Sequence, residues 1–233
     1  MTRAWAALWL VSGVVLPLST WRPETSTGSK LLTLVALAGL ATLPLKLAWA
    51  TRARWAVVAL LAAPVGVLVL PGRALDRAAL TTAYLAQLRS FDGTHYVWGG
   101  ENHRGIDCSG LVRVGLRDAL AAEAVRTWNP ALARAALEVW WFDASAKALG
   151  EGYRGWTREV TRGPQLRALD VGALEPGDLA VTQDGLHVLA YLGDGRWIQA
   201  DPVPMRVHQD RVSASSTGWY SAPVVVWRWV VLE

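Results

Sequence analysis

The sequence predicts an α+β domain that follows a short membrane-spanning region. Residues 1–72 form three apolar segments joined by short polar links, whereas residues 73–233 carry 17 Lys+Arg and 18 Asp+Glu. In this second part helix-compatible segments come first and β-rich segments follow, which is typical of helices packed on a mostly antiparallel sheet. We therefore divide the chain into a membrane region at 1–72 and one domain at 73–233.

The membrane region contains apolar segments at 4–18, 31–50 and 55–71. Each has about 15 to 20 residues, close to the length of a membrane crossing. Tryptophans flank the segments as an aromatic belt would: Trp5, Trp21, Trp49 and Trp55. The first segment also resembles a signal peptide, but no small-x-small cleavage site follows it. Buried helices of a soluble protein are the other alternative, and seven charges in 72 residues argue against it. We expect about three transmembrane helices in contact with membrane lipid.

The charges of the chain are divided unevenly. Residues 1–72 have a net charge of +5 and the remainder −1, so the domain lacks the basic excess of a nucleic-acid-binding protein. The link at 51–54 carries two arginines and lies close to Lys46. The positive-inside tendency predicts that this link stays in the cytoplasm. With three spans, the C-terminal domain then lies outside the cytoplasm.

The only cysteine, Cys108, lies in the most informative stretch of the chain. A glycine-rich segment at 99–105 precedes it, and an apolar, helix-compatible segment at 111–122 follows. We therefore expect a thiol at a helix N-terminus, where free N–H groups and the helix dipole lower its pKa. The same N–H groups can stabilise an oxyanion after attack on a carbonyl. A lone cysteine is otherwise a buried, inert side chain, and the Asp-Cys-Ser-Gly context favours the nucleophile.

Of the four histidines, only His187 lies in a segment that has the pattern of a buried strand, at 186–192. A glycine turn and a second strand at 196–201 follow, which predicts a hairpin. A three-residue loop at 192–194 places Gln199 directly opposite His187, within hydrogen-bonding reach. A two-residue turn would put Gln199 on the other face. The alternative for His187 alone is a core histidine with a satisfied backbone partner.

The combined pattern resembles the NlpC/P60 family of cell-wall cysteine peptidases, which have a papain-like fold. Four motifs occur in the family's order: Tyr96-x-Trp-Gly-Gly, Gly105-Ile-Asp-Cys-Ser-Gly-Leu-Val, Pro176-Gly-Asp-Leu, and His187-Val-x-x-Tyr-x-Gly. The resemblance covers roughly residues 74–201. It implies the following roles: Cys108 as nucleophile, His187 as general base, Gln199 as the group that orients the imidazole, Tyr96 near the oxyanion, and Asp107 and Ser109 as lining of the substrate groove.

The chain departs from the family pattern in two places. The third catalytic position is more often His, and a neutral Gln should leave His187 less basic than an ionisable partner would. Asp201, on the same strand face, is an alternative orienting group. The second departure is the long separation of Cys108 and His187, which predicts a helical insertion near 123–170. A helix at 131–149 there carries an adjacent Trp pair that walls the groove or, more commonly for tryptophan, covers the core.

The remaining segments complete the predicted domain. Residues 76–90 have helical spacing, and residues 204–209 and 223–232 have the pattern of strands. The last strand is apolar on both faces apart from Arg228, which requires a partner. We expect no metal and no cofactor, because no second His lies at ligand spacing from His187.

The sequence thus predicts a membrane-anchored cysteine peptidase or amidase that hydrolyses peptide bonds of peptidoglycan stem peptides through a Cys108–His187–Gln199 triad. The expected location is the bacterial cytoplasmic (inner) membrane, with the catalytic domain extracytoplasmic. Two alternatives remain open. One is a thiol amidase or acyltransferase acting on another substrate, and the other is a non-catalytic module that binds the cell wall.

Overall fold

The computed structural model describes residues 3–212 and 218–233. The predicted membrane region consists of helices α1 (Arg3–Trp21), α2 (Thr27–Ala48) and α3 (Ala53–Leu68). Helices α1 and α2 are long and apolar enough to cross a membrane, whereas α3 is shorter. Its 16 residues rise about 24 Å, less than the roughly 30 Å of a hydrocarbon core. The expectation of about three crossings is therefore supported only in part: two helices are long enough to span a membrane, and the third apolar helix is shorter.

Helices α1 and α2 pack as an antiparallel pair through small and hydroxyl-bearing side chains. A side chain at Gly39 would collide with Ser12 Oγ, and Thr33 Oγ1 donates a hydrogen bond of 2.9 Å to Ser19 Oγ. Small residues of this kind allow close approach of helices in lipid, where apolar burial alone gives no driving force between them. Many large apolar side chains of the three helices remain exposed, as lipid-facing residues would be.

The link between α1 and α2 lies directly on the C-terminal domain. Three hydrogen bonds join them: Thr25 N to Gly99 O at 3.0 Å, Glu101 N to Pro23 O at 2.8 Å, and Asn102 Nδ2 to Arg22 O at 2.7 Å. The end of α3 also contacts the domain, because Arg134 Nη1 donates to Leu68 O and Leu70 O at 2.6 and 2.8 Å. The link and the end of α3 therefore lie on the same side of the membrane region.

The domain contributes four further helices: α4 (Arg77–Ser90), α5 (Cys108–Thr127), α6 (Pro130–Trp141) and α7 (Ala146–Leu149). Each begins at a side-chain cap, such as Asp76 for α4 and Asn129 for α6. The helix predicted at 131–149 is wrong as one element. It is interrupted after Trp141, and Ser145 caps the separate helix α7.

Within the residues that the structure describes, eight strands form a small hairpin and one six-stranded antiparallel sheet. The strands are β1 (Glu101–Asn102), β2 (Gly105–Ile106), β3 (Thr157–Gly163), β4 (Leu179–Thr182), β5 (Val188–Gly193), β6 (Arg196–Asp201), β7 (Arg206–Arg211) and β8 (Val224–Trp229). Strands β1 and β2 pair with each other, and the large sheet has the order β3-β8-β4-β5-β6-β7. The segment near 123–170, predicted as a helical insertion, contains helices α6 and α7 and also β3, which forms an edge of this sheet.

The sheet separates two apolar clusters. Alternate strand residues such as Leu179 and Val181 pack against α4 and α5, whereas Ala180 faces the opposite cluster around Trp197 and Tyr220. The arrangement is the α+β fold that the sequence predicts.

Arg228 has the partner that its place in β8 requires. Its Nε and Nη2 donate to the two carboxylate oxygens of Asp178 at 2.6 and 2.8 Å, and its Nη1 lies 2.6 Å from Glu175 Oε1. A bidentate pair of this kind satisfies a charge that would otherwise be costly to bury. The Pro-Gly-Asp-Leu motif therefore serves, through its aspartate, to anchor the last strand.

Candidate active site

Cys108 is the first residue of α5, as the sequence predicts. Asp107 caps the helix, because its Oδ1 accepts from Gly110 N at 2.6 Å and from Ser109 Oγ at 3.0 Å. Its Oδ2 accepts from Gly99 N at 2.8 Å, which fixes the glycine-rich loop against the helix. A side chain at Gly110 would collide with the carbonyl oxygen of Gly100. The glycines around the cysteine thus allow the loop and the helix end to meet.

The thiol of Cys108 is buried, with 7% of the residue exposed. Burial and the nearby Asp107 carboxylate raise the pKa of the thiol to about 12, although backbone N–H groups of Val188, Ser109 and Cys108 partly offset this. The prediction of a lowered thiol pKa is therefore wrong for this structure. Helix-terminal N–H groups do face the sulfur, but the loss of hydration outweighs them. One of the backbone N–H groups that contact the sulfur is that of Val188, so Cys108 lies against the start of β5.

His187 directly precedes β5, and its ring forms a hydrogen bond with the side chain of Gln199 in β6. The distance from His187 Nε2 to Gln199 Oε1 is 2.7 Å, and both side chains are buried. An amide oxygen can only accept, so Nε2 carries the ring proton in the neutral imidazole. The other ring nitrogen, Nδ1, is then the basic one.

The register that brings these two side chains together differs from the predicted one. The hairpin has the two-residue turn Asp194-Gly195, with Gly193 opposite Arg196. The three-residue loop at 192–194 is therefore wrong. An irregularity between Tyr191 and Gly193 then shifts the pairing by one residue. This β-bulge returns Gln199 to the face of His187, since a shift of one residue exchanges the two faces of a strand.

The environment of His187 favours its neutral form. Burial is the main reason that the pKa of the imidazole falls to about 4, and the hydrogen bond to Gln199 opposes this fall only in part. The indole of Trp219 stacks on the ring, with centroids 4.1 Å apart and planes 16° from parallel. The imidazole is thus held from one edge by an amide and from one face by an aromatic ring.

Asp201, the alternative orienting group, has other partners. Its Oδ2 lies 3.3 Å from His208 Nε2, and its Oδ1 accepts from Val203 N at 2.9 Å and from Trp219 Nε1 at 3.2 Å. Gln199 is therefore the residue in hydrogen-bond contact with the imidazole. Asp201 contacts the imidazole only indirectly: its carboxylate accepts a hydrogen bond from the indole of Trp219, which stacks on His187.

A cavity of about 230 Å³ opens beside Cys108. The three residues expected at the substrate, Tyr96, Asp107 and Ser109, all line it. Burial, reinforced by the negative charge that an ionised Cys108 would carry, raises the pKa of the Tyr96 phenol above its usual value. Tyr96 therefore keeps its proton and can donate a hydrogen bond. Trp140, from the predicted Trp pair, lines a separate cavity next to α1 and α2.

Several residues at this site escaped the sequence analysis. Trp219 and His208 lie outside the sequence motifs. The pairing of Gln199 with His208 between β6 and β7 places His208 near the site, and the turn before β8 places Trp219 on the ring of His187. Arg113 and Asp143 also line the cavity of Cys108. The sequence offers one signal for Arg113: it is a charged residue flanked by the apolar residues 111, 112 and 114 in the segment predicted to be a helix. Across residues 3–212 and 218–233, no group of three or more His, Cys, Asp or Glu side chains is arranged to hold a metal ion.

Comparisons with known proteins identify one family and several similar structures. A family model described as "NlpC/P60 family" matches residues 93–228. Among solved structures, the NlpC/P60 domain of the peptidoglycan hydrolase SagA is 23% identical, with a TM-score of 0.38 over 63% of this chain and 96% of that one. The peptidoglycan hydrolase RipB from Mycobacterium tuberculosis is 18% identical, with a TM-score of 0.40 over 78% and 88%.

A eukaryotic structure also matches. NlpC1 from Trichomonas vaginalis is 17% identical, with a TM-score of 0.43, and the match covers 67% of this chain and 46% of that one. The comparison with curated proteins finds no match.

Proposed function

This chain belongs to the NlpC/P60 family, and from that membership we propose that it is a membrane-anchored cysteine peptidase or amidase acting on peptidoglycan stem peptides. Family membership suggests cell-wall peptidase or amidase activity. The observation that carries the proposal is the position of Cys108 at the N-terminus of α5, against the strand whose preceding residue, His187, is hydrogen-bonded to Gln199.

The reaction begins from a neutral thiol and a neutral imidazole, as the pKa directions of both groups require. Nδ1 of His187 accepts the thiol proton while the sulfur of Cys108 attacks the amide carbonyl carbon. The carbonyl oxygen becomes an oxyanion, which N–H groups at the start of α5 and the Tyr96 hydroxyl stabilise. The imidazolium then protonates the departing amine, and water hydrolyses the thioester to regenerate the thiol.

Gln199 and Trp219 keep the imidazole ready for both proton transfers. The amide fixes the tautomer, and the stacked indole limits rotation of the ring out of its plane. A fixed base lowers the barrier because less orientational freedom is lost in the transition state. Asp107 and Ser109 line the groove in which the stem peptide binds.

The contacts between the membrane region and the domain support an extracytoplasmic location. The α1–α2 link and the domain are hydrogen-bonded, so they lie on the same side of the bilayer. A chain that crosses once through α2 must cross again before it returns to that side, and α3 is the helix available. Three crossings leave the basic link at 51–54 in the cytoplasm. The domain then faces the cell wall, as a peptidoglycan hydrolase of the inner membrane must.

Digestion of purified sacculi tests the proposal directly. The full chain in detergent micelles should release peptide fragments that mass spectrometry identifies, and Cys108→Ala and His187→Ala should release none. His103→Ala is the matched control, because the ring of His103 stacks on Phe91 and has no role in the proposed triad, so its loss should leave product release intact. Fragments released equally by Cys108→Ala would exclude the thiol mechanism. Sacculus binding without any fragments from the wild type would instead indicate a binding module.

A further inference from the structure

Arg113 is a buried arginine in the wall of the catalytic cavity. It lies in the second turn of α5, and 4% of the residue is exposed. Its Nη2 lies 2.7 Å from Glu101 Oε1 and 2.6 Å from Asp143 Oδ1. Its Nε is buried and has no hydrogen-bond partner among the residues that the structure describes. A buried donor without a partner costs free energy, so this guanidinium is incompletely satisfied in the absence of a ligand.

Arg113 and the nucleophile share one cavity and one helix. Five residues separate them, so their backbones are offset by about 7.5 Å along the helix axis. Two residues of an extended peptide span roughly 7 Å. A peptide whose scissile carbonyl lies at Cys108 therefore places a neighbouring residue beside Arg113.

The two carboxylates on Arg113 are held very differently. Glu101 has a side chain that is 4% exposed and lies 4.0 Å from Lys30 Nζ. Although burial opposes its ionisation, Arg113 and Lys30 together lower the pKa of the Glu101 carboxyl. Asp143 follows the end of α6, and 59% of its side chain is exposed. Glu101 is thus a fixed part of the structure, whereas Asp143 can return to water at little cost.

The charges balance only when a second carboxylate is present. Lys30 and Arg113 contribute two positive charges, Glu101 contributes one negative charge, and Asp143 supplies the other. A substrate carboxylate in place of Asp143 preserves this balance. It can also accept from both Nε and Nη2, a bidentate arrangement that Asp143 does not make.

We propose that Arg113 forms a subsite for a free carboxylate of the substrate, and that Asp143 occupies this subsite until the substrate displaces it. The inference rests on the proposed function and specifies its substrate class: an anionic peptide with a carboxylate about two residues from the bond that is cleaved. A carboxamide at that position binds less well, because it brings no charge to replace that of Asp143. Asp143 thereby acts as an internal competitor that selects for carboxylate-bearing peptides.

Binding to the full chain in detergent, measured by calorimetry on the Cys108→Ala background, tests the subsite without catalysis. The probes are a synthetic stem tetrapeptide with free carboxylates and the same tetrapeptide with those carboxylates converted to carboxamides. Asp143→Asn removes the competing charge and should tighten binding of the carboxylate peptide by about tenfold, since like charges at one site oppose each other. The affinity for the carboxamide peptide should change much less. Equal changes for both peptides, or none, would overturn the proposal.

Arg113→Lys provides the complementary variant. It keeps the charge that Glu101 requires, so the fold is preserved, but it lacks the planar fork of the guanidinium. We expect it to lose most of the preference for the carboxylate peptide over the carboxamide, and an undiminished preference would contradict the subsite. Because both measurements use Cys108→Ala, they remain informative even if the wild type hydrolyses neither peptide. Hydrolysis without a preference for the carboxylate peptide would overturn the proposed subsite, whereas the proposed peptidase activity would still hold.

Discussion

At Gln199 a neutral amide oxygen accepts a hydrogen bond from the imidazole of His187. Burial is the main reason that the pKa of this imidazole falls to about 4, and burial likewise raises the pKa of the Cys108 thiol to about 12. Both groups are therefore neutral at pH 7. In the proposed mechanism the proton moves from sulfur to nitrogen only when the substrate is attacked, so the reaction would depend on the direction and distance of one proton transfer rather than on a resting thiolate.

The pH dependence of activity follows from the pKa of His187. The neutral imidazole is the active form, so kcat/KM should fall as pH decreases through about 4 and stay level to neutral pH. Gln199→Glu is nearly isosteric and places a negative charge beside Nε2. The charge stabilises the imidazolium, which is the inactive form, so the acid limb should move up by about one pH unit or more. Steady-state pH–rate profiles measure this, and an unmoved acid limb would refute it.

Single residues could be predicted where a local pattern determines their position. The Asp-Cys-Ser-Gly sequence predicts a capped helix that begins at Cys108, because Asp107 is an N-cap residue and Gly110 permits close approach. The ionisation of Cys108 could not be predicted in this way. It depends on burial by distant strands, whose effect on the pKa exceeds that of the helix N-terminus.

At the scale of elements, the pairing of β6 with β7 places the charged pair His208 and Asp201 beside the site. Gln199 pairs in register with His208, whose ring lies 3.3 Å from Asp201 Oδ2 and 3.0 Å from Asp210 Oδ2. The hydrogen bond to Asp201 is the main cause of a raised pKa for His208. The pair thereby supports the strand on which both Gln199 and Asp201 lie.

The stability contributed by His208 should depend on pH. Its folded pKa lies above the unfolded value of about 6.5, so the stabilisation is complete below that value and disappears as pH rises through the folded pKa. We expect His208→Asn to lower the melting temperature of the full chain in detergent most at pH 5.5 and least at pH 9. Thermal melts across this range measure the difference between wild type and variant. A difference that is constant with pH would contradict the ion pair.

Elements were predictable in kind and order, and their register was not. Alternation and glycines predict the hairpin of β5 and β6, but the sequence does not reveal the bulge near Leu192. The predicted loop is one residue too long, and the bulge is not predicted. Each error alone would place Gln199 on the other face of its strand, and together they leave it on the face of His187. The helix predicted at 131–149 is too long, because Ser145 starts a separate helix by accepting a hydrogen bond from Ala148 N.

At the scale of the whole molecule, the N-terminal helices and the link between α1 and α2 contact the C-terminal domain. The link at 22–26 contacts the loop before the nucleophile helix, and the end of α3 contacts α6. Lys30, in α2, also reaches Glu101 in the wall of the catalytic cavity. Helix α2 therefore contributes a charged side chain to the surroundings of this cavity. The sequence showed the helices but not these contacts, which depend on how the two parts pack.

The proposed topology predicts the accessibility of two links. On the Cys108→Ala background, Glu24→Cys and Thr51→Cys introduce single thiols into the links at 22–26 and 49–52. A membrane-impermeant maleimide should label Glu24→Cys in intact spheroplasts and Thr51→Cys only after lysis. Cys108→Ala without a new thiol measures background labelling. Labelling of Thr51→Cys in intact cells, with Glu24→Cys protected, would reverse the orientation.

The central claim is that His187 activates the sulfur of Cys108. Because the chain has one cysteine, the rate of alkylation by iodoacetamide, followed by intact-protein mass spectrometry, reports on that sulfur alone. At pH 7 the wild type should react at least about tenfold faster than His187→Gln, since the imidazole accepts the thiol proton. His103→Gln, which removes a ring stacked on Phe91, should react at the wild-type rate. Equal rates for the wild type and His187→Gln would contradict the account.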